Sequence, residues 1–110
     1  MTKSELDTLL RSVGINSVIE GEGTDGSEFP RINYWEYVWS PISSSGNAYE
    51  YEVTYQISFF SKTPRDSKLI DLIKAFASSG VIITVQHELV TSPTRMIHSF
   101  FSVDVSEKLY

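Results

Sequence analysis

The chain contains no cysteine, which excludes a disulfide framework, a thiolate metal site and a cysteine nucleophile together. A reducing compartment is permitted, and thiol redox chemistry is ruled out. No stretch approaches the roughly 20 apolar residues that a membrane-spanning helix needs, and the opening segment MTKSELDTLLRS lacks the apolar centre of a signal peptide. Synthesis in the cytoplasm and no membrane partner are therefore expected. Cations are scarce as well: nine Lys and Arg face fourteen Asp and Glu, for a net charge of -5. A protein that grips phosphate backbones relies on clustered cations to release counterions, so specific nucleic-acid binding is not expected. No phosphate loop, nucleophile elbow or dinucleotide fingerprint occurs either.

What remains is 110 residues at 41% hydrophobic content, enough for one domain spanning 1–110 that folds without staples. Thr2 and Glu5 have capping-box spacing, and Leu6, Leu9, Leu10 and Val13 recur at helical intervals before Gly14, predicting a short helix over about 4–13. Residues 16–28 mix Gly21, Gly23 and Gly26 with Glu20, Glu22, Asp25 and Glu28 and read as an acidic loop. Residues 31–39 read as a first strand between Pro30 and Pro41. A flexible SPISSSGN segment leads to a long second strand from about 48 to 61, completing a hairpin.

Thr63 as N-cap, Pro64 at the first helical position and Asp66 in the first turn predict the start of a second helix. Its broad apolar face consists of Leu69, Ile70, Leu72, Ile73, Phe76 and Ala77, and Gly80 ends it. VIITVQHELV and RMIHSFFSVDV predict two further strands around a TSPT turn. The expected fold class is α+β in the order αββαββ. It has an antiparallel sheet of about four strands, one main helix packed on a face and a short N-terminal helix.

Aromatic residues are distributed unevenly. In the second strand they sort by parity, with Val53, Tyr55, Ile57 and Phe59 facing one way and Glu50, Glu52, Thr54, Gln56 and Ser58 the other. In the first strand Ile32, Tyr34 and Val38 take one parity while Trp35, Tyr37 and Trp39 take the other, so both faces are apolar. Two readings stand at this point. Either the N-terminal helix or the loop before Phe29 covers the second face, or Trp35, Tyr37, Trp39 and Phe60 form a patch that another subunit or partner covers.

Tests for chemistry give little. Pairing Val81, Ile83, Val85 and Leu89 with Val105, Val103, Phe101 and Ile97 would put His87 and His98 on opposite faces, which removes a two-histidine metal site. The acidic loop does not match an EF-hand. Carboxylate pairs drawn from Glu36, Glu50 and Glu52 are what any sheet protein yields. Arg31, Arg65, Lys68 and Lys74 are scattered among acids and read as a solvated face. No enzyme activity, metal or cofactor is expected.

The segments FPRINYWEY, YEVTYQISFFSK, DSKLIDLIKAF and HSFFSVDV, following a short N-terminal helix, resemble the tail terminator (tail completion) proteins of long-tailed bacteriophages. The resemblance covers about 80 residues from Pro30 onward. It implies a structural virion protein, made in the host cytoplasm, that forms a hexameric ring at the head-tail junction. The implied partners are the tail tube protein and the head-tail connector protein, with DNA passing through the ring unbound. On this reading Glu20, Glu22, Asp25, Glu28, Glu50 and Glu52 are candidates to face the opening, where acidic groups repel phosphate. Two other classes stay open: a neck adaptor or interaction module without a ring, and a small ligand-binding domain or enzyme with the hairpin as a pocket wall.

Overall fold

A computed structural model describes residues 1–15, 17–21, 29–42 and 50–109. The elements are α1 (Lys3–Ser12), β1 (Ser17–Glu20), β2 (Arg31–Pro41), β3 (Glu50–Ser61), α2 (Ser67–Ser78), β4 (Gln86–Val90) and β5 (Met96–Lys108). The class is α+β, as expected, but the sheet is mixed and five-stranded, in the order β1-β2-β3-β5-β4. The additional strand is β1, which pairs parallel with β2 in the stretch expected to be loop. Val18 and Ile19 suffice because β1 borrows an already ordered edge, and Val18 packs partly against the core.

The capping box forms as the sequence predicts. Thr2 Oγ1 accepts from the Glu5 N–H at 3.1 Å and the Thr2 N–H donates to Glu5 Oε1 at 3.2 Å. These bonds from Thr2 hold the Glu5 carboxyl below the ordinary carboxylate range. At α2 the cap differs from expectation. Asp66 is the N-cap and its side chain accepts from the Lys68 N–H at 2.8 Å. Arg65 is the reason: its φ of 51° is left-handed, so Thr63 and Pro64 cannot run continuously into the helix. Asp66→Ala is expected to lower stability by about 1 kcal/mol and Thr63→Ala by no more than a few tenths, as read from urea midpoints. The reverse order would restore Thr63 as the cap.

Both helices lie on one face of the sheet and share a single core. Leu69, Leu72 and Phe76 of α2 and Leu6, Leu9 and Leu10 of α1 are buried, as are Val53, Tyr55, Ile57 and Phe59 of β3. The apolar face of α2 is narrower than its sequence implies, since Ile70 and Ala77 are exposed. The chain before β4 also departs from expectation. Residues 81–85 form no ladder, although Val81, Ile83 and Val85 still pack against the core while Ile82 is 84% exposed. The register expected from parity holds where the ladder exists, with Leu89 opposite Ile97.

Candidate assembly surface

One extra residue reorganises the aromatic strand. Arg31 to Glu36 pair with Phe60 to Tyr55, but the register then shifts so that Val38 faces Thr54 and Trp39 faces Val53, leaving Tyr37 as a β-bulge. A bulge inverts the alternation beyond it. Trp35, opposite Gln56, therefore stands on the face away from the helices, and Val38 joins it there. Tyr37 belongs to that outer face too, since its hydroxyl lies 3.1 Å from Ser102 Oγ on β5. Trp39, opposite Val53, is on the helix side together with Glu36, opposite Tyr55. The expectation that Trp35, Tyr37 and Trp39 share one face, with Val38 on the other, is thus corrected.

All three rings remain accessible, Trp39 at 57%, Tyr37 at 52% and Trp35 at 36%. Helix α1 does not cover them: Trp35 and Tyr37 are on the opposite face, and on Trp39's own side α1 meets β2 at Tyr34, whose hydroxyl donates to Asp7 Oδ1. The loop residues 22–28 are outside the described residues, as are 43–49. β1 pairs only with Arg31 to Tyr34, so among the described residues no strand pairs with the other side of Trp35 to Pro41. The wider half of β2 is an open, aromatic sheet edge.

Phe60 sits at the opposite end of the sheet. The register aligns Arg31 of β2, Phe60 of β3, His98 of β5 and Glu88 of β4 in one row across the outer face. The Arg31 guanidinium lies 4.5 Å from the Phe60 ring centroid, and Phe60 and His98 stack with centroids 4.7 Å apart. Glu88 Oε1 is 2.7 Å from His98 Nδ1, while His98 Nε2 is 2.8 Å from Ser58 Oγ. These are the distances of a serine–histidine–carboxylate relay. Ser58 has no exposed surface, however, so its hydroxyl presents nothing to a substrate, and the row is a packed polar network. His87 lies on the helix side with Nδ1 2.7 Å from Ser99 Oγ, so the two histidines do face opposite ways.

The acidic candidates do not converge. Glu20 accepts from Lys3 Nζ at 2.9 Å, and Lys3 also bridges to Asp7 at 3.1 Å. Burial pulls the Lys3 ammonium down, but the bonds to Glu20 and Asp7 outweigh it and raise the group above its ordinary value. Glu50 and Glu52 lie on the outer face at the hairpin end, opposite Lys108 and Ser106. Glu22, Asp25 and Glu28 lie outside the described residues.

A feature missed in the sequence lies on the helix side at the far end from Trp39. A half-open pocket of about 650 Å³ forms between the β4–β5 hairpin and the lead-in to α2. Its lining includes Leu69, Leu89 and Ile97 together with Lys62, Arg65 and Arg95. The three cations come from two distant segments and meet only because β3 pairs with β5. No protein-family model matches the chain, and no curated protein matches it significantly.

Proposed function

We propose that the chain is a structural ring subunit of the kind it resembles, a tail terminator that caps the tail tube at the head-tail junction and has no catalytic role. One observation carries the reading: the half of β2 from Trp35 to Pro41 presents accessible Trp35, Tyr37 and Trp39 on both sides of a sheet edge that is unpaired among the described residues. Tryptophan and tyrosine bring large contact area at low entropic cost, and interfaces are enriched in them. An open edge also offers backbone groups to a neighbouring chain. In a ring of about six copies the neighbour is another subunit, and the tail tube and connector proteins meet the two rims. Among the described residues Glu50 and Glu52 are the acids left to face the opening through which DNA passes, because Glu20 is engaged by Lys3.

Light scattering coupled to gel filtration, with purified tail tubes added in a parallel run, tests the proposal. The expected result is a discrete oligomer near six subunits, in solution or on tube ends, which Trp39→Ala and Trp35→Ala convert to folded monomers. A chain that neither oligomerises nor binds tube ends overturns it.

A further inference from the structure

A closed ring requires two different patches on each subunit, related by a rotation rather than a two-fold axis. The open half of β2 is one, on the β1–β2 side of the sheet. The pocket beside β4 lies on the opposite side and at the opposite end of a molecule 49 Å long. The two do not overlap, so one copy can use both at once.

Their chemistry is complementary. In a chain of net charge -5, the pocket is lined by Arg65, Arg95 and Lys62, whose ammonium lies 4.6 Å from the Phe29 ring centroid, against the single carboxylate of Glu88, which is held by His98. Among the described residues no carboxylate lies within ion-pair distance of Arg65 or Arg95. Leu69, Leu89, Met96 and Ile97 give its lining an apolar part, and Leu89 is 56% exposed there. On the other patch the bulge at Tyr37 brings Glu36 and Trp39 to the same side of β2, an indole beside a carboxylate. A volume of about 650 Å³ leaves ample room for an indole.

We infer that the pocket between the β4–β5 hairpin and the lead-in to α2 receives Trp39 of a second copy of this chain, with Arg65 and Arg95 pairing that copy's Glu36. The inference rests on the ring reading and names its second patch. It is a head-to-tail interlock, so it propagates from copy to copy until the ring closes. Arg65 adds a practical handle. Its left-handed φ of 51° suits glycine, so Arg65→Gly removes the cation without disturbing the fold.

Sedimentation velocity over a concentration series up to roughly millimolar tests the interlock, with circular dichroism confirming that each variant is folded. Trp39→Ala alone, and Arg65→Gly with Arg95→Ser, are each expected to weaken assembly by about tenfold or more. Mixed in equal amounts, these two variants retain one sound knob and one sound pocket between them, so heterodimers form and nothing larger. Glu36→Arg weakens the wild-type pocket contact, and adding Arg95→Glu in the same chain restores it. If the pocket variant assembles like wild type while Trp39→Ala does not, the pocket assignment is overturned and the ring reading survives. A mixture that yields no heterodimer, or a wild-type chain that stays monomeric throughout, overturns the interlock, and the tube-end assay then judges the ring reading separately. A pocket that binds a small amphiphilic anion while its cation variants leave assembly unchanged overturns it as well.

Discussion

Phe76→Ala is expected to cost about 3–5 kcal/mol, the range for truncating a buried aromatic without collapse of the site. Phe76 has no exposed surface, and its ring meets Phe101 edge to face, with centroids 5.5 Å apart at 82°. That contact joins α2 to β5, so its removal leaves a void where helix and sheet are pinned together. A small domain has only about 5–15 kcal/mol of net stability, and the variant is expected to unfold at a much lower urea midpoint with an unchanged slope. Ile70→Ala, on the same helix but 39% exposed, is the control and is expected to cost under about 1 kcal/mol. Equal losses for the two would mean that α2 does not seat Phe76 against the sheet.

Stability is also expected to fall on the alkaline side, from about pH 10 upward, because three groups favour their protonated forms in the folded state. Burial and the hydrogen bond to Asp7, together with its charge, push the Tyr34 phenol up to about 12 from an ordinary 10.0. Burial first, then the 2.9 Å hydrogen bond that Tyr55 donates to Glu107, raises Tyr55 as well. The Lys3 ammonium is raised by its two carboxylates. For each group the folded chain holds its proton more tightly than the unfolded chain. Their contributions are therefore complete below the unfolded values near 10 and are lost as pH climbs through the folded values. Urea midpoints measured at intervals from about pH 8 to 11 should decline, and tyrosinate absorbance should show Tyr34 and Tyr55 ionising only as the chain unfolds. Tyr55→Phe should shallow the decline. A midpoint constant across that range would sink the argument.

Much of the fold was legible in residue order because it follows from periodicity. The capping box, the buried stripe of α2, the parity of β3 and the pairing register of Leu89 with Ile97 all depend on local spacing. What was hidden depends on something spacing does not carry. The bulge at Tyr37 adds a single residue to one strand of a pair, and RINYWEYVW reads the same with or without it, yet it moves Trp39 from one face to the other. Strand β1 was masked by the glycines and acids that follow it, and it exists because β2 was there to be paired. The left-handed turn at Arg65 displaced the α2 cap from Thr63 to Asp66. The pocket and the row from Arg31 to Glu88 are products of four-strand register, which no single segment contains.

The pairing of β3 with β5 has a mechanical consequence. The two strands are matched at every position from Glu50 to Ser61 on one and Lys108 to Ile97 on the other. Their hydrogen bonds lie across the strand direction. A pull applied along the two strands would load the whole ladder in shear, so its bonds must yield together. A pull across the sheet would peel them one at a time. Load applied between the two ends of β3 and β5 would therefore run along the strong direction, with the pair acting as the spar of the sheet.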